Sequence, residues 1–205
     1  MREALRVQTR GVHEQLHHHT HFVALFDQAI SLPQYRALLG LFHGFYAPLE
    51  DAIGRVMAQA PDAHGGFVYT PRAALLAQDL GDLGFDDADV RAAPQCTALY
   101  DVITPASLGG VLYVIEGSTL GANQIDRAAQ KLLGADTVAG RRFWAWSRAH
   151  NKQRWAMTNA YLAHLDARDV LPDTVVAGAH DTFQALADWL APLNTPIIAP
   201  QGAPA

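Results

Sequence analysis

Gly117 and Gly121 stand one helical turn apart inside the longest apolar stretch of the chain. It runs from Thr104-Pro105 through Leu112, Tyr113, Val114 and Ile115 to Leu132 and Leu133. The spacing of its apolar residues predicts one long central helix, and each glycine in a helix interior costs roughly 1 kcal/mol relative to alanine. A helix with both on one face carries a patch of main chain with no side chain over it. Two uses fit such a patch. It lets a second helix pack closely, or it lets a flat ligand approach the backbone, with Ser118 and Thr119 supplying hydroxyls that hold ordered water.

The rest of the chain is helical in pattern as well. Leu5, Thr9, Val12, His13 and Leu16 recur at helical spacing and predict a helix over 2–20. Ser31-Leu32-Pro33-Gln34 reads as a capping box, opening a helix that stops at Pro61 and is expected to kink at Pro48. Thr70-Pro71 opens another helix ending near Gly81, and the Asp-rich stretch 82–94 predicts a loop with a short helical turn. Gly134 is a stop signal for the long helix. Helices are expected over about 137–149 and on to about 167, and Pro172 opens the last one, through Phe183, Leu186, Trp189 and Leu190. No segment has strand period, no repeat recurs and no linker divides the chain. The expectation is a single all-α domain over 1–192, about eight helices around one core, with a mobile Pro/Ala/Gly-rich tail over 193–205.

Composition excludes several classes. With 15 Lys+Arg against 20 Asp+Glu and a net charge of −5, no basic face is implied for nucleic acid. The one cysteine, Cys96, rules out an internal disulfide framework and any multi-cysteine metal site. No apolar run approaches the roughly 20 residues that span a bilayer, and no signal peptide is visible, so a cytoplasmic location without membrane attachment is expected.

Histidines carry the metal chemistry. His13 shares a helix face with Thr9 and Leu16, where it serves either as a core imidazole bonded to a carbonyl or as an iron ligand, the neutral form dominating near pH 7. Taken with the bare glycine face, the second use points to a flat metal macrocycle held between two helices. His17, His18, His19 and His21 point in different directions and read as an exposed helix end, with His17 and His21 a turn apart as a possible metal pair. Glu14-x-x-His17 matches half of a di-iron carboxylate motif. Of the other glutamates, Glu50 and Glu116 are followed at the third residue by Ile53 and Thr119, so the second half is missing.

Several segments resemble the heme oxygenase family. Leu5-Arg6-x-x-Thr9-x-x-x-His13 is similar to the family's start, and Gly44-Phe45-Tyr46-x-Pro48-Leu49-Glu50 to a segment of its bacterial branch. Leu112-Tyr113-Val114-Ile115-Glu116-Gly117-Ser118-Thr119-Leu120-Gly121 resembles the distal-helix signature, particularly in the subgroup that accompanies bacteriophytochromes. Thr182-Phe183-x-x-Leu186-x-x-Trp189-Leu190 resembles the last helix. There are departures. Phe143-Trp144-Ala145-Trp146-Ser147 replaces an aromatic-Gly-aromatic-Gly run, and His150-Asn151 replaces a Thr-Gly pair. Both bear on pocket shape and electron-donor docking.

The resemblance implies an all-α fold with a kinked distal helix and a heme b that is both substrate and cofactor. It implies oxidative opening of that heme with O2 to biliverdin, with loss of carbon monoxide and ferrous iron. The phytochrome-linked subgroup implies opening at the alpha position and a bacteriophytochrome as receiver of the product. The electrons come from a donor such as ferredoxin or a flavin reductase. Carried over by position, His13 is the iron ligand, while Gly117, Ser118 and Gly121 surround the oxygen site. Arg6, Thr9, Arg10, Tyr113 and Arg127, and beyond them Lys131, are candidates for holding the heme. The alternative is a heme- or bilin-binding protein of the same fold that has lost turnover.

Overall fold

The structure, a computed structural model, describes residues 1–134 and 136–193, without the side chains of Gln15, His17 and Leu193. The tail expected beyond Leu193 lies outside the described residues, as does the His17 half of the proposed His17–His21 pair. Ten α-helices and no strand occur among the described residues. They are α1 (Arg2–Gln8), α2 (Arg10–His17), α3 (Thr20–Phe26), α4 (Leu32–Gln59), α5 (Ala73–Asp82), α6 (Asp87–Ala92), α7 (Leu108–Gly117), α8 (Ala122–Leu133), α9 (Arg142–Ala167) and α10 (Pro172–Leu190). No described helix is long and apolar enough to cross a membrane.

α4 starts where its local chemistry says it should. Ser31 Oγ accepts the Gln34 amide while Gln34 Oε1 accepts the Ser31 amide, and Pro33 occupies the first turn. Further along, Pro48 has no N–H, so the Gly44 carbonyl four residues back loses its helical donor. The Cys96 amide supplies one at 2.8 Å. The loop can come that close because Gly44 has no side chain: a Cβ there would lie 2.3 Å from the Pro94 carbonyl oxygen. The helix therefore runs through Pro48 unbroken.

α7 and α10 form the tightest crossing. A Cβ on Gly110 would sit 1.9 Å from the Val175 carbonyl oxygen, and one on Gly178 would sit 2.4 Å from that of Ser107. These two backbones touch, and no larger residue fits at either point. Around them Leu108, Val111, Leu112, Val175, Ala179 and Leu165 close the core.

Three expectations are corrected. The single helix over 2–20 is two helices, α1 and α2, jogged at Thr9, whose Oγ1 donates to the Leu5 carbonyl; α2 ends at His17, and α3 from Thr20 completes an arm of three pieces. The two helices expected over 137–149 and to 167 are one, α9, beginning at Arg142. His19 and His21 are buried rather than exposed. His19 Nδ1 accepts the His21 amide at 3.3 Å and its Nε2 faces the Leu190 carbonyl at 3.1 Å, so the Nε2–H tautomer satisfies both and ties the arm to the end of α10.

Candidate functional site

The long apolar helix breaks where its sequence is weakest. Between α7 and α8, residues Ser118–Gly121 form a 3-10 turn. Ser118 Oγ donates to the Ile115 carbonyl at 2.8 Å and Thr119 Oγ1 to the Glu116 carbonyl at 2.6 Å. Hydroxyls that bond back three residues compete with the α-helical ladder, and the flanking glycines give little helix propensity to resist them. The break turns Ser118, Leu120 and Gly121 toward solvent.

Behind the break lies a buried charge cluster. Glu116 is fully buried, with Oε2 accepting from Arg72 at 3.2 Å and Oε1 from Arg154 at 2.6 Å. The Arg72 guanidinium faces the rings of Tyr46, Tyr69 and Trp146 at 5.4–5.7 Å. Glu50 accepts from the Tyr69 hydroxyl and from the amides of Arg72 and Ala73, so it caps α5, which has no cap of its own. Burial pushes the Glu50 carboxyl and the Tyr46 and Tyr69 hydroxyls up from their ordinary values. Asp79 caps α9 in the same borrowed way, accepting the amides of Arg142 at 2.7 Å and Phe143 at 3.0 Å. Asp126 binds Arg141 at 2.6 Å and Arg148 at 2.9 Å and locks α8 to α9. A cluster of Phe22, Phe42, Tyr46, Phe143 and Trp144 fills the space beneath.

The arm is docked along its length, α1 and α2 on α10 and α3 on α8 and α4, while the 3-10 turn packs on α9. His13 is exposed on α2, edge-on to Phe183 with ring centroids 5.9 Å apart. A groove of about 430 Å³ opens where Phe26 at the end of the arm and Gln28 just beyond it meet Gly121, Gln124, Arg127 and Lys131 on the broken helix. The two glycines differ. A Cβ on Gly121 would meet nothing within 4 Å, whereas one on Gly117 would lie 3.4 Å from the Trp155 ring. The close-packing use belongs instead to Gly110 and Gly178, which were not singled out by pattern.

The remaining candidates divide into mouth and flank. Arg6 and Arg10 are exposed on the arm, and Arg6 is paired with Glu3 at 2.7 Å, which raises its pKa. Thr9 is buried and shapes the arm through Leu5. Tyr113 is half-buried against Trp155, with ring centroids 5.5 Å apart. Arg127 and Lys131 flank the groove. Sequence patterns missed Arg72, Arg154 and Trp155 altogether. Each acts through partners far along the chain, and no local spacing marks them. The di-iron reading has no support: Glu116 is consumed by two arginines, and no group of three metal-ligating side chains occurs among the described residues.

A macrocycle needs an accessible ligand and bare backbone, and the exposed His13 and open Gly121 fit that need. No curated protein matches the chain by sequence. In the crystal structure of heme oxygenase-1 from the cyanobacterium Synechocystis in complex with heme, the same fold recurs with a TM-score of 0.69 at 18% identity, covering 92% of this chain and 90% of that one. The heme oxygenase family model matches residues 1–191. The chain belongs to the heme oxygenase family.

Proposed function

We propose that this chain opens heme to biliverdin at the alpha position, releasing carbon monoxide and ferrous iron, with electrons from a donor such as ferredoxin or a flavin reductase. The reading is carried by two observations taken together: an exposed imidazole on the arm, His13, and open, side-chain-free backbone at Gly121, which lines the groove between the end of the arm and the broken helix. Bound heme supplies the iron at which O2 is reduced and the porphyrin edge that is oxidised.

The chain's own residues do the orienting. His13 ligates the iron from the arm. Arg6, Arg10 and Tyr113 receive the propionates, with Arg127 on the far flank. Gly121 keeps the distal side free of side-chain bulk. Ser118 Oγ spends its proton on the Ile115 carbonyl, so to any further partner it offers only a lone pair. It therefore holds a distal water by accepting from it, which leaves the water's second proton free to move toward the oxygen site. Trp146, the bulkiest departure from the family pattern, is taken up by Arg72 and by a stack on His150 at 4.3 Å, and no atom of it lies within 4 Å of where a Cβ on Gly117 or Gly121 would stand. That placement favours an active enzyme over a binder that has lost turnover. The biliverdin suits a bacteriophytochrome chromophore site.

The test is hemin titration followed by reduction in air with ferredoxin and its reductase. A Soret band that gives way to biliverdin absorbance supports the enzyme, and a stable Soret band under reduction supports the binder. His13→Ala should shift or abolish the Soret band, and an unchanged band would overturn the ligand assignment.

A further inference from the structure

We infer that the groove between the end of the arm and α8 is a second site, apart from His13, that takes up the opened tetrapyrrole once it has left the iron. This rests on the heme oxygenase reading above. His13 does not line the groove, whereas Gly121 does. A chain opened beside the glycine turn therefore reaches the groove over bare main chain.

The lining is rich in polar groups without partners. Gln28, Asn123 and Gln124 bring three carboxamides, Arg127 and Lys131 bring two positive charges one helical turn apart, and Phe26 brings a ring. Among the described residues, the side chains of Asn123, Gln124, Arg127 and Lys131 have no protein partner. The one acid of α8, Asp126, is turned to Arg141 and Arg148 on the α9 side instead. Gln28 adds a second, independent sign. Its φ is +58°, in the left-handed region that favours glycine, yet the position holds a glutamine. Its Nε2 donates to the Leu25 carbonyl at 2.9 Å, which fixes the amide at the groove and leaves Oε1 free to accept.

Ring opening changes what the substrate offers. Heme presents a flat metal disc and two carboxylates, and has no use for three amides. The opened chain keeps the carboxylates, loses the metal and gains a lactam at each end, with an N–H beside a C=O. A carboxamide answers that pair with its own acceptor and donor. The guanidinium and ammonium answer the carboxylates, and the Phe26 ring covers a pyrrole face. At about 430 Å³ the groove falls in the range of sites for small organic ligands.

The test uses the full chain loaded with hemin and held ferric by cyanide, so that the His13 centre is filled and inert. Biliverdin titrated into it should bind at one equivalent, leave the Soret band in place and gain circular dichroism in the visible, because the free pigment is a racemic helix. Biliverdin dimethyl ester, with its carboxylates capped, should bind on the order of tenfold more weakly, the scale of charge-assisted hydrogen bonds. Lys131→Glu should weaken biliverdin by a similar factor. Gln28→Gly suits the backbone better than glutamine, so it folds, and should weaken biliverdin about fivefold through the lost amide. Absence of binding to the hemin-loaded chain, or affinities indifferent to the ester and to both substitutions, would overturn the second site. Displacement by inorganic phosphate at equal concentration would overturn the tetrapyrrole assignment. In either case, biliverdin formed by the same preparation under reduction in air leaves the enzyme reading intact. A wild-type chain that binds no hemin would overturn both.

Discussion

The Tyr46 hydroxyl lies 3.5 Å from Ser118 Oγ, and through this contact the buried charge cluster behind the broken helix reaches the exposed glycine turn. Ser118 already donates to the Ile115 carbonyl, so Tyr46 is the donor of the pair. Its hydroxyl aims the Ser118 lone pair rather than supplying a proton to substrate. Tyr46→Phe should leave hemin affinity within about twofold and slow turnover on the order of tenfold, less than the roughly 10²–10⁴-fold of a group that itself transfers the proton, because Tyr46 acts through Ser118. Single-turnover absorbance decay with matched hemin loading measures it. An equal loss of affinity and turnover would assign Tyr46 to packing instead.

Gly110 and Gly121 should respond oppositely to the same substitution. Gly110→Ala drives a methyl into the α10 backbone and should destabilise by about 3 kcal/mol or more, since rigid main chain cannot yield as a side chain does. For a domain of this size that is a fall in Tm of roughly 6–12 °C. Gly121→Ala meets open space and should leave Tm unchanged or slightly raised. Thermal melts of both variants decide the point.

Glu116→Leu should cost about 3–5 kcal/mol, because it strands two buried guanidiniums without a counter-charge. Asp101→Ala removes an exposed partner 3.5 Å from Arg55 and should leave the urea midpoint where it was. A midpoint for Glu116→Leu near that of wild type would mean the cluster is open to water.

His43 gives the fold a pH dependence. It is buried on α4 with no partner at Nδ1, and burial lowers its pKa below 6.5. Above pH 6.5 folded and unfolded chains both carry it neutral, so it has no effect. As pH falls below 6.5 the unfolded chain takes up the proton first, and stability is lost. Tm measured from pH 7.5 to 5 should fall less steeply in His43→Gln than in wild type. Parallel curves would show that His43 is not the titrating group.

Much of this architecture was legible in the order of residues, and the boundary follows the range of the interactions. Ser31 and Gln34 satisfy each other within four residues, so the start of α4 could be read. The start of α9 could not, because its cap, Asp79, lies 63 residues before Arg142. The break at Ser118–Gly121 is not legible in the apolar spacing, which predicts one long helix, and only the family resemblance implies a kink there. What each glycine faces depends on Trp155 and on empty space, neither of which leaves a mark in the spacing. The same holds for Glu116, which reads as a stray acid in an apolar run until Arg72 and Arg154 arrive from distant helices.

The amide that completes α4 at Gly44 belongs to a loop, and this has a consequence for exchange with solvent deuterium. Loop amides ordinarily exchange within seconds to minutes, yet the Cys96 N–H is an honorary member of a helix interior. A lone slow peptide should therefore appear between fast neighbours, and it should lose its protection when that stretch of α4 opens.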